Sequence, residues 1–157
     1  MGVNRKEDTK KDLKETNHHA GNGKEKKTMT YQELNEAIKN GRKSFTGEDL
    51  RKQSFYGLDL KDADFSGSDL RGAVFGDTIL HWAHFDGSDL RGAFFRGSDL
   101  KGAFFNGADL RGALFSDSDT CFVHFYGADL RGARRYCCDF SSAFFDGADL
   151  RGTEIGK

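Results

Sequence analysis

From Phe45 to Ile155 every fifth position belongs to one series: of 23 such centres, 11 are Phe and 9 are Leu, and only Thr120, Arg135 and Ile155 depart. Two residues before each centre the side chain is usually small, without a break from Ala63, Ser68 and Ala73 to Ala108 and Ala113. Asp usually precedes the Leu centres, and Gly follows two residues after most centres, as at Gly67, Gly72 and Gly107. A period of five fits neither a 3.6-residue helix nor a continuing alternating strand. It predicts a short extended segment with two inward side chains, then a turn in which glycine supplies positive φ. Such a unit buries nothing alone, so it must coil and stack on its neighbours.

Sorting the centres by twenty residues purifies them. Phe45, Phe65, Phe85, Phe105, Phe125 and Phe145 form one column, and Leu50, Leu70, Leu90, Leu110, Leu130 and Leu150 the next. The third runs Phe55, Phe75, Phe95, Phe115, Arg135, and the fourth Leu60, Leu80, Leu100, Thr120, Phe140. Four units per coil therefore put two Phe columns across the core from each other. Arg135 on an inward centre either turns outward or marks a bulge where the column loses register, which would account for Phe140 standing in place of Leu.

Before the repeat, two segments differ in character. Residues 1–29 carry 8 Lys/Arg and 5 Asp/Glu with no aromatic side chain, too polar to offset the entropy of ordering. A disordered tail is expected there, with Met29 as an alternative start and His18-His19 as a solvated pair. Residues 30–41 read as a capping helix: Thr30 and Glu33 fit a capping box, Tyr31, Leu34 and Ile38 share one face, and Asn40-Gly41 supplies the stop.

The Ala-Asp-Leu-Arg-Gly unit and its variants over residues 42–157 resemble the pentapeptide-repeat family. The resemblance implies an all-β fold, a right-handed four-sided β-helix of about six coils. Function does not follow from such a scaffold. Quinolone-resistance members of the family resemble a DNA rod and bind DNA gyrase or topoisomerase IV, so the resemblance implies a type II topoisomerase as one candidate partner. Separately, a last coil with only a short tail to cover it exposes strand edges, so a homodimer is expected, end to end through Phe144, Phe145 and Ile155 or side by side through Val74, Phe94 and Leu114.

Composition narrows the functional classes. The 157 residues hold 24 Lys/Arg against 25 Asp/Glu, a formal net charge of -1, without the basic excess of a nucleic-acid binder. Mean hydropathy is -0.68 and no apolar stretch is long enough to cross a membrane. Three cysteines, Cys121, Cys137 and Cys138, are too few for a disulfide framework, and the N-terminus carries no secretory signal, so a cytoplasmic location is expected. Cys138 falls on an inward small position, where it reads as a space-filling thiol.

On the outside, an Asp49–Asp149 column runs beside an arginine column containing Arg71, Arg91, Arg111 and Arg131. This reads as a solvated ion-pair face, with an anion- or protein-binding stripe as the functional alternative. Val74, Phe94 and Leu114 align on an outward position, as do His84, Phe104, His124 and Phe144, while Trp82 and Phe122 occupy turns. Aligned outward apolar residues predict an interface. His81, His84, Cys121 and His124 invite a metal, but the pairs lie two coils apart, too far for one tetrahedral site. No catalytic pairing stands out from the repeat, so no enzyme, cofactor or metal is expected. The leading expectation is a non-enzymatic protein-binding or scaffold module; a small-ligand or enzymatic site at the His81/Trp82/Phe122 corner ranks last.

Overall fold

The computed structural model describes residues 28–155. The expectations for the tail up to residue 27, including His18-His19, lie outside the described residues. The chain builds one short helix, α1 (Tyr31–Lys39), and then a right-handed four-sided β-helix of about six coils. The third side is regular enough to form four strands, β1 (Val74–Gly76), β2 (Phe94–Arg96), β3 (Leu114–Ser116) and β4 (Arg134–Tyr136), stacked in parallel in that order. The other three sides pair through single residues at the same twenty-residue step, as at Asp69 with Asp89 and His84 with Phe104.

Most corners, other than those that follow the four strands, are tight turns. Ala73 N–H donates to Leu70 O at 2.9 Å, and Ala108 N–H to Phe105 O at 3.1 Å, closing four-residue turns whose third residue has positive φ. Gly107 takes this conformation at +64°. Between corners, main-chain donors run up the coil: Phe85 N–H reaches Phe104 O at 2.7 Å, and Phe105 N–H reaches His124 O at 2.8 Å. Nearly every unit donates along the axis, which explains a chain without proline.

Inside, the two Phe columns meet as sorted. Phe85 stacks on Phe105 at 4.7 Å and Phe95 on Phe115 at 5.0 Å, while Phe95 meets Phe105 edge-on at 5.7 Å and 90°. Stacking along a column and T-shaped contact across the core both suit the ring quadrupole. Buried hydroxyls at small positions serve the backbone: Ser68 Oγ donates to Phe45 O at 2.7 Å and Thr78 Oγ1 to Phe55 O at 2.9 Å.

α1 closes the N-terminal end of this core. Its capping box forms in both directions, Glu33 N–H donating to Thr30 Oγ1 at 3.2 Å and Thr30 N–H to Glu33 Oε2 at 2.8 Å. Leu34 is buried, and Met29, Ala37 and Ile38 pack against the first coil. Tyr31 is exposed and does not join that stripe. Gln53 donates to Met29 O at 2.6 Å, and Arg42 pairs with Glu48 at 2.7 Å, so two large residues on small positions tie the helix region down.

At the other end the register survives Arg135, which pairs with Phe115 in β4. The guanidinium turns to carbonyl oxygens, Nη1 to Cys138 O at 2.9 Å and Nε to Glu154 O at 3.2 Å, while the fourth-side ladder stops at Asp119 and does not pair with Asp139, so each alternative holds in part. Phe140 fills the room a phenyl ring at 135 would take, contacting Phe115 edge-on at 5.5 Å. Ile155 is buried, 1% exposed. It is therefore part of this chain's own core and offers no surface to a second copy, which corrects its place in the expected end-to-end contact.

Candidate interaction surfaces

The fold turns the sequence into four outer faces. On the first, each arginine chelates the aspartate two residues before it: Arg111 Nη2 lies 2.6 Å from Asp109 Oδ2 and Nε 2.8 Å from Oδ1. The same Nε stands 3.6 Å from Asp129 of the next coil, and the pattern repeats from Arg51 through Arg71, Arg91 and Arg131. Hydrogen bonding to its arginine first, and the nearby positive charge after it, hold Asp69, Asp109 and Asp129 below the usual carboxylate range. Each guanidinium thus has carboxylates on two sides, which favours the ion-pair reading over anion capture.

On the opposite side of the Leu50 column from the first Phe face lies the β1–β4 sheet. Val74, Phe94 and Leu114 stand in register on its outer surface, Phe94 being 45% exposed and Leu114 half-buried. Arg134 continues the row and Tyr136 is exposed beside it. Tyr56 lies against Gly76 and donates to Asp77 Oδ2 at 2.5 Å, so it edges the row.

The face across the core carries a ladder of alternating imidazole and phenyl rings. His84, Phe104, His124 and Phe144 stack at 4.7, 4.6 and 4.7 Å, with Tyr126 leaning on the last two. Burial pushes the His124 imidazole below its ordinary pKa, with Asp86 acting in the opposite sense. Phe144 is exposed and Phe145 half-buried, so of the three expected dimer contacts these two retain accessible surface.

The fourth face is acidic, a feature the repeat pattern did not disclose. Asp59, Asp99 and Asp119 pair in its outward column with Ile79, exposed Asp139 follows twenty residues on, and Lys61 and Lys101 are the lysines interleaved with them. His81 faces the Asp99 carboxylate. At its corner with the ring face sit Trp82 and Phe122, at positive φ of 56° and 57°, in a turn column that also holds Asp62 at 57° and Gly102 at 67°. Both rings are half in water, 47% and 51% exposed. Trp82 lies across buried Gly102, where a Cβ would collide with the indole. Sequence reading placed these residues at turns; nothing in their identity announced the left-handed backbone.

Among the described residues no group of three or more His, Cys, Asp or Glu is placed to hold a metal ion. The three cysteines are free, and burial raises the Cys138 thiol's pKa. No helix among the described residues is long and apolar enough to cross a membrane.

A family model described as pentapeptide repeats matches in eight copies over residues 44–77, 78–117 and 121–155. A comparison with curated proteins finds no match. Among solved structures the chain is similar to HetL, a pentapeptide repeat protein involved in heterocyst differentiation regulation from the cyanobacterium Nostoc sp. strain PCC 7120. Identity is 22% over 80% of this chain and 72% of that one, with a TM-score of 0.49. A second Nostoc PCC 7120 pentapeptide repeat protein is 30% identical over 80% and 95% of the two chains, with a TM-score of 0.39. QnrB1, a plasmid-mediated fluoroquinolone resistance protein, is 23% identical over 73% of each chain, with a TM-score of 0.40.

Proposed function

Because the chain belongs to the pentapeptide-repeat family, we propose that it works as a non-enzymatic protein-binding module whose contact surface is the β1–β4 sheet. One observation carries this: Val74, Phe94 and Leu114 point outward in register on the one multi-residue sheet among the described residues. Apolar side chains aligned over three coils form a patch rather than scattered exposure. The rigid stacked core beneath holds that patch flat, which lowers the ordering cost of binding. Three free thiols suit a reducing compartment such as the cytoplasm. A second copy of the chain is one candidate partner, through this face or end to end through Phe144 and Phe145.

The acidic column of Asp59, Asp99, Asp119 and Asp139 favours a second reading, in which the rod binds the DNA-binding surface of gyrase or topoisomerase IV. The neutralised Asp–Arg face weighs against it, since a DNA-like rod needs uncompensated charge on more than one side. A photo-crosslinking residue at position 94 should give a discrete adduct in cells, and the same residue at position 109 on the ion-pair face none. An adduct of twice the monomer mass identifies a second copy. Equal yields at both positions would refute the sheet as the contact. Supercoiling by purified gyrase, with and without ciprofloxacin, should be unaffected by the protein; inhibition or protection establishes the second reading instead.

A further inference from the structure

The outer surface of the β1–β4 sheet has two rows, because the first and third residues of a three-residue strand point to the same side. One row is Val74, Phe94, Leu114 and Arg134; the other is Gly76, Arg96, Ser116 and Tyr136. The rows differ in kind at every level. Where the first has an apolar side chain the second has glycine, arginine or serine, and where the first ends on arginine the second ends on tyrosine. Tyr56 lies over Gly76, so its ring covers that level of the second row. Among the described residues, Arg96 and Arg134 are the two arginines whose guanidinium meets neither a carboxylate nor a carbonyl, and both stand on this surface. The edges differ as well. Exposed Lys52 leans over Gly72 on the edge before the strands, and Asp77 and Asp117 are exposed on the edge after them.

A surface whose left half complements its right half is completed by its own copy. A two-fold axis along the solenoid exchanges the rows, and because a pure rotation leaves height unchanged, it keeps each coil level with itself. No register is left to choose. Phe94 of one copy then faces Arg96 of the other, and Tyr136 faces Arg134. Both are rings opposite guanidiniums that lack another partner, the arrangement of a cation–π pair. Leu114 falls on Ser116, Val74 on the Tyr56 ring, and at the edges Lys52 comes to Asp77. The antiparallel alternative lays each row on itself. Centred on β2 it sets Arg96 on Arg96 and Asp77 on Asp117, and centred between β2 and β3 it sets Val74 on Arg134.

We propose that two copies of the chain pair in parallel through their β1–β4 sheets, with Phe94 against Arg96 and Tyr136 against Arg134. The proposal rests on the sheet as the contact surface and commits it to a second copy. Four three-residue strands supply fewer than the ~20–30 residues per side of a standard interface, so a dissociation constant on the order of tens of micromolar is expected.

Sedimentation velocity of the full chain should show a reversible monomer–dimer equilibrium across micromolar concentrations. Phe94→Asp should raise the dissociation constant at least about tenfold with circular dichroism unchanged. Lys52→Glu and Asp77→Lys should each weaken the dimer, and both in one chain should restore it, since the two positions meet only in the parallel arrangement. If Asp77→Lys loses the fold through its contact with Tyr56, disulfide trapping replaces it. On a Cys137→Ser background, Leu114→Cys mixed with Ser116→Cys should crosslink more than either variant alone. A double charge variant no tighter than the single ones, trapping no greater in the mixture, or a dimer indifferent to Phe94→Asp would overturn the pairing. So would a chain that stays monomeric at high micromolar concentration. A discrete position-94 adduct of another mass would then leave the sheet as the contact for a different protein, whereas no adduct at all would sink both readings.

Discussion

At the scale of single residues, the five-residue period made the inward positions legible but hid the conformation of the turns. Gly67 and Gly107 announce positive φ, because glycine is the residue that adopts it at little cost. Trp82, Asp77, Asp117 and Phe122 share it and announce nothing, since a side chain's identity does not report its backbone angle when neighbouring coils impose it. The strain is measurable. A Cβ at Gly107 meets nothing within 4 Å, so Gly107→Ala should cost only the conformational term, about 1–2 kcal/mol. Gly102→Ala should cost more, because the new methyl collides with the Trp82 ring. In a Trp82→Gly background the two alanine substitutions should become equal. Urea denaturation of the double-mutant cycle checks this; an excess cost at 102 that survives removal of the indole would refute the collision.

At the scale of elements, the helix was legible because Thr30 and Glu33 form a local device that needs no tertiary context. Tyr31 was not, because which part of the apolar stripe is covered depends on tertiary packing that a local pattern does not carry. Arg135 shows the same limit: the sequence marked an anomaly, but the carbonyls of Cys138 and Glu154 that receive its guanidinium come from the closing end of the solenoid. The Asp–Arg columns were legible as neighbours in sequence, and the structure adds the contact to the next coil. That face also governs acid stability. Asp69, Asp109 and Asp129 are depressed, and Asp149 lies at about 2, each chiefly through the hydrogen bond from its arginine. A depressed folded pKa stabilises above the unfolded value near 3.9 and ceases to do so as pH falls through the folded value. The urea midpoint should therefore hold steady from neutral pH to about 4 and decline between about 4 and 2. Replacing Arg71, Arg91 and Arg111 together by Gln should shrink that decline, and an unchanged acid profile would show that the ladder contributes nothing.

At the scale of the whole molecule, a strict inward pattern leaves the outer faces free to differ, which is why the coil was readable and its surfaces were not. The faces repeat at one twenty-residue step, yet one is neutralised, one apolar, one a stack of rings and one acidic. The same geometry leaves the ends as its weak points, because an uncovered coil presents unpaired donors, acceptors and ring faces to any other chain. At the N-terminal end Leu34, Ala37 and Ile38 lie over the first coil, and Phe45 and Leu50 beneath are fully buried. A solenoid needs such a cap for solubility. Removing residues 1–27 spares Met29 and the capping box, so that variant should match the full chain in light scattering. Removing residues 1–41 strips the cover from Phe45 and its coil, and the remaining chain should form large species as concentration rises. A fragment 42–157 that stays monomeric at high micromolar concentration would show that the first coil seals itself, and that α1 is an ornament on a core already closed.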